Sequence, residues 1–152
     1  MILIPPNSWG IYQSSTNDNY FAGRMGIGDS SPDVALDVVG DINYTGQIQD
    51  VSDRRLKENI KPLENSLASI TGLNGYSFTM KGDESGVVEY GLIAQEVEPV
   101  FPELVDSQED GFKVLNYVGL IAPLVEAVKA QQAQIDALKA EVDALKQEAA
   151  ER

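Results

Sequence analysis

The stretch YVGLIAPLVEAVKAQQAQIDALKAEVDALKQEA, residues 117–149, decides the fold of the C-terminal part of the chain. Ten of its residues recur at alternating spacings of four and three without a break, and this is the heptad pattern of a coiled coil. These ten residues, at positions a and d, form the seam of the predicted coiled coil. The pattern therefore predicts one long helix that associates with copies of itself. The a positions are Ile121, Val128, Ile135, Val142 and Ala149, and the d positions are Tyr117, Leu124, Gln131, Leu138 and Leu145.

The heptads also bear on how the copies associate. Glu141 and Lys146 fall at g and the following e position, where parallel helices pair across their interface. β-Branched residues at a with leucine at d favour two strands, whereas Gln131 in the seam fits either a dimer or a trimer. Pro123 would kink the helix or mark where it leaves a globular body, and Gly119 lies at the position with which the proline ring would clash.

The middle of the chain, residues 52–116, has the mixed composition of a small α+β body. Leu63, Leu67 and Ile70 follow Pro62 at helical spacing, which predicts a short amphipathic helix. The other predicted features are the end of this helix near Gly72, strands at 76–80 and 87–90 joined by a loop at 82–86, and a helix at 94–100 that stops before Pro102.

The N-terminal segment, residues 1–51, is rich in Gly, Ser, Asn, Asp and Pro and has no helical period. Short alternating pieces such as 25–27 and 36–38 predict strands separated by turns. These strands carry too few apolar residues to close a core within one chain, so we expect identical copies to cover their apolar faces.

Composition excludes several classes of function. Twenty-four carboxylates against eleven Lys and Arg give a net charge of -13, which disfavours nucleic acid and membrane surfaces as partners. With no cysteine and no histidine, the chain cannot build a disulfide, a thiolate or histidine metal site, a cysteine nucleophile or a Ser-His-Asp triad. We therefore expect no metal and no cofactor. The segment Met1–Pro6 lacks the basic flank and apolar core of a signal peptide.

A basic cluster beside a serine is the candidate site. Arg54, Arg55 and Lys57 follow Ser52 in an otherwise acidic chain. Without histidine or cysteine, a lysine is one of the few groups that can activate a serine, and Ser-Lys dyads are known. Burial and nearby positive charge favour the neutral amine that such a base needs, so Arg54 and Arg55 are candidate tuning charges.

The alternative is a solvated cluster in which these arginines pair with Asp53 or Glu58. Spacing limits the catalytic interpretation further. In a strand, residues five apart face opposite sides, and in a helix they lie about 140° apart. A direct contact between Ser52 and Lys57 therefore needs a bend between them, or a lysine from a neighbouring chain.

Several motifs occur in the order found in a known family. The segments 19–32 and 35–42 resemble interwoven β segments near the ends of phage tail-fibre shafts. The second half resembles the C-terminal intramolecular chaperone domain of phage tailspikes and tail fibres, which also occurs in endosialidase tailspikes and a eukaryotic myelin transcription factor. The motifs that carry this second resemblance are SDRRLKENI (52–60) with Pro62 and Leu63, GLIAQEV (91–97), FPELV (101–105), LNY (115–117) and residues 124–129.

The resemblance implies a homotrimer that assists folding of its own N-terminal fibre segment and then cuts itself off. It implies cleavage of the Val51–Ser52 bond, with Ser52 as nucleophile and Lys57 as general base, in a single-turnover serine endopeptidase. It also implies synthesis in the host cytoplasm, a place in the virion tail fibre or tailspike, and release of the chaperone part. The corresponding domains are the fibre end at 1–51, the chaperone body at 52–116 and the coiled coil at 117–152.

Two other functions remain open from the sequence. One is a trimerisation tip of the same fold that never cuts, with an inert Ser52. The other is a receptor-binding adhesin whose fibre part binds a host surface glycan. Trp9, Tyr12 and Tyr20 suit a sugar platform or an inter-chain core. Gln95 and Glu96 suit a contact with the fibre or the site, or a polar cap at a strand-to-helix junction.

Overall fold

The computed structural model describes residue 16, residues 18–108 and residues 110–151. The chain divides into two compact units, Met1–Gln49 and Asp50–Arg152. The predictions made for Met1–Pro6, Trp9 and Tyr12 lie outside the described residues.

The N-terminal unit contains the two predicted strands. β1 (Met25–Ile27) and β2 (Leu36–Val38) pair in parallel, with Met25 opposite Leu36. Within residues 18–49 no side chain is buried, and Ile48 is 73% exposed. The described part of this unit therefore has no core of its own. Its coverage by identical copies stays a prediction.

The C-terminal unit combines short helices, two hairpins and one long helix, which confirms the α+β class predicted from the sequence. No helix in the described ranges has the length and apolar character needed to cross a membrane. In chain order the elements are a 3-10 turn (Arg54–Leu56), α1 (Ser66–Thr71), β3 (Tyr76–Phe78), β4 (Glu89–Gly91), α2 (Ala94–Val97), a 3-10 turn (Pro102–Leu104), β5 (Val105–Ser107), β6 (Lys113–Leu115), a 3-10 turn (Val118–Leu120) and α3 (Ile121–Ala150).

The predicted helix after Pro62 is present but begins later. Asn65 adopts a left-handed conformation, with φ of 56°, so α1 begins at Ser66 and leaves Leu63 outside. Its end agrees with the prediction, because the Gly72 N–H donates to the Ala68 carbonyl at 3.1 Å and closes the last turn. The apolar spacing identified the helix correctly, whereas the proline did not mark its beginning.

One of the two hairpins was predicted from the sequence, and the other was not. The predicted β3–β4 hairpin is present, with Tyr76 opposite Gly91 in an antiparallel pair. Its strands differ from the predicted 76–80 and 87–90, since β3 ends at Phe78 and β4 runs from Glu89 to Gly91. The β5–β6 hairpin was missed. Its turn carries an Asp-Gly pair in which Gly111 has φ of 86°, and Asp-Gly between short alternating stretches is a recognised hairpin signal.

The predicted helix at 94–100 was too long. α2 ends at Val97, whose carbonyl then accepts from the N–H groups of both Val100 and Phe101, so the chain continues as a turn. The Lys113 ammonium reaches Glu98 just after α2 at 2.7 Å and ties β6 to this point.

The long helix α3 begins at Ile121 rather than at Tyr117, because residues 118–120 form a 3-10 turn. Pro123 lies in its first turn, where a backbone N–H has no partner within the helix. The proline therefore marks the start of the helix. α1 packs against α3, and the small core is formed by Val97, Leu120, Pro123 and Ala127.

Tyr117 joins the start of the long helix to the β4–α2 junction. Its hydroxyl accepts a hydrogen bond from the Leu92 N–H at 2.9 Å and donates to the Leu92 carbonyl at 3.3 Å. Gly91 permits this approach, since a Cβ there would lie 2.5 Å from the Tyr117 hydroxyl oxygen and 3.2 Å from the Phe78 ring.

Gly91→Ala should therefore destabilise the body. The added methyl group forces Tyr117 or Phe78 to move, and such overpacking costs about 1–3 kcal/mol. Urea unfolding followed by circular dichroism at fixed protein concentration measures the change. Gly75→Ala is the matched control, because a Cβ at Gly75 meets nothing within 4 Å. Equal effects of the two substitutions would contradict the proposed close packing.

Candidate active site

Ser52 and Lys57 meet within one chain. The Lys57 ammonium donates a hydrogen bond to Ser52 Oγ at 2.6 Å. Both residues are exposed in the single chain. The contact places a hydroxyl and an amine, the two groups of a Ser-Lys dyad, at hydrogen-bond distance.

A 3-10 turn provides the bend that the five-residue spacing requires. The turn spans Arg54–Leu56, and its backbone bonds run from the Leu56 N–H to the Asp53 carbonyl and from the Lys57 N–H to the Arg54 carbonyl, both at 3.1 Å. Asp53 and Lys57 on either side are extended. Because the tight turn lies between two extended ends, the lysine side chain folds back to the serine.

Asp53 caps this turn and pairs with Arg55. Its carboxylate accepts the Arg55 backbone N–H at 2.8 Å and the Arg55 guanidinium through Nε at 3.0 Å and Nη2 at 2.6 Å. The guanidinium hydrogen bond, followed by the backbone one, holds the pKa of Asp53 below its ordinary value. The same pairing raises the pKa of Arg55.

The two arginines therefore differ in their surroundings. Arg55 pairs with Asp53, which is the alternative to a tuning charge that the sequence left open. Arg54 forms no side-chain hydrogen bond or ion pair with any residue that the structure describes. From the sequence, Asp53 was expected only to pair with cations, and its role as the cap of the turn was not predicted, although aspartate is a preferred capping residue.

Glu96 belongs to the β4–α2 junction. Both of its carboxylate oxygens accept from the Tyr76 hydroxyl at 3.0 Å, and one accepts from the Asn74 amide at 3.4 Å. The hydrogen bond to this carboxylate raises the pKa of Tyr76. These contacts agree with a structural role for Glu96, and among the described residues neither Gln95 nor Glu96 hydrogen-bonds to Ser52 or Lys57.

No three acidic side chains in the described part of the chain lie close enough together to hold a metal ion. At the candidate site, the Ser52 hydroxyl and the Lys57 amine lie next to the Val51–Ser52 peptide bond. In chemical terms, a serine that is deprotonated by a neutral lysine can attack a carbonyl carbon.

Comparison with known proteins places this site at the start of a family domain. A family model described as the chaperone of endosialidase, and named as a peptidase family, matches residues 52–106. The long tail fiber protein Gp37 of Salmonella phage S16 is 39% identical over 105 residues, which cover 63% of this chain and 14% of that protein. Gp37 of Enterobacteria phage K3 is 41% identical over 95 residues, or 58% of this chain and 8% of that protein.

A relative also occurs outside phages. An uncharacterized protein of Dictyostelium discoideum is 31% identical over 70 residues, which cover 45% of this chain and 6% of that protein. The chain thus spans only a small fraction of the length of these relatives. The matched region begins at Ser52, so the candidate cleavage bond lies at the boundary of the matched domain. Residues 52–106 thus match the family model described as the chaperone of endosialidase, which confirms the resemblance that the sequence motifs predicted.

Proposed function

We propose that this chain is the end of a phage tail fibre, in which a chaperone domain assists folding of the fibre segment and then cuts itself off at the Val51–Ser52 bond. The observation that carries the proposal is the 2.6 Å contact between the Lys57 ammonium and Ser52 Oγ. The family match beginning at Ser52 and the similarity to long tail fibre proteins support it.

The proposed reaction begins when a neutral Lys57 takes the hydroxyl proton of Ser52, which reverses the donor and acceptor of the hydrogen bond. Ser52 Oγ then attacks the carbonyl carbon of Val51, and the peptide C–N bond breaks. The Val51 acyl group is now an ester on Oγ, and the Ser52 nitrogen has taken the proton from the Lys57 ammonium and is a free amine. Water hydrolyses the ester to give a Val51 carboxylate and a restored Ser52 hydroxyl. Attack on the adjacent bond needs no binding step.

Assembly is the proposed trigger. Burial favours the neutral form of a lysine, and in the single chain both Lys57 and the neighbouring Leu56 are exposed, the latter by 73%. In a homotrimer the neighbouring chains would bury the Lys57 side chain and so favour its neutral form. Cleavage would then follow assembly, as a chaperone that releases its product requires.

The proposed chaperone action uses the heptad seam. A parallel coiled coil at residues 117–152 would hold three chains in register, which raises their effective concentration and lowers the entropic cost of starting an intertwined β structure. The client is the fibre segment 1–51, and the body 52–116 follows it in the sequence and precedes the coiled coil. After release, the fibre would persist because its unfolding barrier is high.

A time course of the purified chain tests the proposal. Denaturing electrophoresis with intact mass measurement should show two products, residues 1–51 and 52–152. The C-terminus of the first product and the N-terminus of the second identify the Val51–Ser52 bond. A folded oligomer that stays at full length after long incubation would contradict self-cleavage.

A trimerisation tip that does not cut is the second candidate function. It is favoured by the seam of α3, whose apolar residues are exposed in the single chain and suit association without any chemistry. An intact mass of the full chain combined with a trimeric mass in solution supports this candidate. Glycan binding by the fibre segment stays a prediction, which a glycan array with residues 1–51 would test.

A further inference from the structure

The turn between Ser52 and Lys57 contains an ion pair between the side chains of Asp53 and Arg55. We propose that Asp53 and Arg55 are positioning residues, which fix the 3-10 turn so that the Lys57 amine reaches Ser52 Oγ. This inference rests on the proposed self-cleavage. It assigns Arg55 a role different from the tuning charge considered from the sequence.

The contacts form a closed ring. The Asp53 carboxylate caps the turn by accepting a hydrogen bond from the Arg55 N–H. The Arg55 side chain folds back and donates to the same carboxylate through Nε and Nη2. Three donors of one residue thus converge on one carboxylate. Charge-assisted bonds of this forked kind are stronger and more directional than neutral ones.

The turn has little else to hold it in the single chain. None of its residues is buried, and the Leu56 side chain is 73% exposed. Its two backbone hydrogen bonds, both at 3.1 Å, close a conformation with poorer bond geometry than an α-helix. The Asp53–Arg55 pair therefore supplies the specific interactions that select this turn among the conformations of an exposed loop.

The same contacts argue against a tuning role for Arg55. Its charge lies 2.6 Å from an opposite charge, so the two largely cancel at the distance of the lysine. Arg54, whose side chain pairs with no residue in the described part of the chain, is the better candidate for a tuning charge. A positioning residue acts through geometry, and its removal should lower the rate without changing the pH at which the lysine becomes active.

Arg55→Lys separates geometry from charge, because it keeps the positive charge and loses the fork that grips a carboxylate from two sides. We expect the first-order rate of cleavage to fall about tenfold or more, since displacement by about 1 Å is enough for such losses. Asp53→Asn keeps a capping oxygen, so its cleavage rate should fall less than that of Asp53→Ala. Lys61→Arg, a charge-conserving exchange just beyond the turn, is the matched control and should cleave at the unchanged rate.

The pH profile of the rate distinguishes the two roles. For a positioning residue, the plateau falls in Arg55→Lys and the midpoint stays where it is in the original chain. A tuning charge predicts the reverse, namely an unchanged rate in Arg55→Lys and a shifted midpoint in Arg55→Gln. That second pattern would overturn the inference.

A thiol at position 52 gives a readout that needs no cleavage. The chain has no cysteine, so Ser52→Cys introduces a single thiol, whose alkylation by iodoacetamide can be followed by intact mass as a function of pH. A lysine ammonium in contact lowers a thiol pKa below its ordinary value of about 8.5. We expect this lowering in Ser52→Cys and its loss when Arg55→Lys is added, but not when Lys61→Arg is added.

The two readouts separate the inference from the function on which it rests. A chain that does not cut, but whose thiol responds to Arg55→Lys, would refute self-cleavage and support the positioning role. A chain that cuts equally fast with Arg55→Lys, and whose thiol does not respond, would refute the positioning role alone.

Discussion

Lys57→Met should leave the chain uncut under conditions in which the original chain divides at Val51–Ser52. Methionine keeps the length of the side chain but cannot accept a proton, and loss of a general base costs about 10²- to 10⁴-fold in rate. Among the described residues, Lys57 is the side chain that hydrogen-bonds to Ser52 Oγ, and the chain has no histidine to replace it. Ser52→Ala removes the nucleophile and should also stay intact. Intact mass after a fixed incubation measures both.

The control is Lys61→Met, which makes the same exchange four residues further along the chain and should cut at the original rate. Light scattering must show the same oligomer for all variants, so that loss of cleavage cannot be attributed to loss of assembly. Cleavage of Lys57→Met at the original rate would contradict the dyad.

Mixed oligomers decide which chain supplies the base. When Ser52→Ala and Lys57→Met chains are expressed together, the contact within one chain predicts that neither is cut, because no chain holds both groups. Cutting of the Lys57→Met chain would mean that a neighbouring chain's lysine reaches its serine. Distinguishable tags on the two chains identify the product.

Local pattern was enough to predict much of the fold. The helix at the C-terminus, both N-terminal strands and the β3–β4 hairpin depend on periodicity, which the sequence displays directly. Their exact ends were less predictable, as α1 shows: its start depends on the left-handed conformation of Asn65, which competes with the proline signal. The β5–β6 hairpin was missed, although the Asp-Gly pair in its turn is a recognised hairpin signal.

The candidate site was predictable in its members but not in its geometry. The residue types and the family motif pointed to Ser52 and Lys57 as candidates, whereas the spacing left open whether they could meet. The answer depends on a three-residue turn, and its stability depends on how Asp53 and Arg55 orient toward each other. Such an arrangement of short-range contacts leaves no periodic signal in a sequence.

Leu138→Asp should disrupt self-association of the chain. The large apolar seam residues of α3 remain 39–61% exposed in the single chain. α1 packs against this helix, and the buried positions Pro123 and Ala127 lie outside the seam. An aspartate at a central d position would place a charge in an apolar interface of every copy. Since burying a leucine contributes about 2 kcal/mol, several copies together should weaken assembly by at least about a hundredfold. Sedimentation equilibrium measures this loss.

Ala140→Asp is the matched control, because it introduces the same side chain two residues later on the outer face of the predicted coiled coil. It should assemble like the original chain. If assembly supplies the burial that the lysine needs, Leu138→Asp should also lose cleavage while Ala140→Asp keeps it. A monomeric Leu138→Asp chain that still cuts at the original rate would separate the chemistry from assembly, and the Ser52–Lys57 turn would then be competent in the single chain.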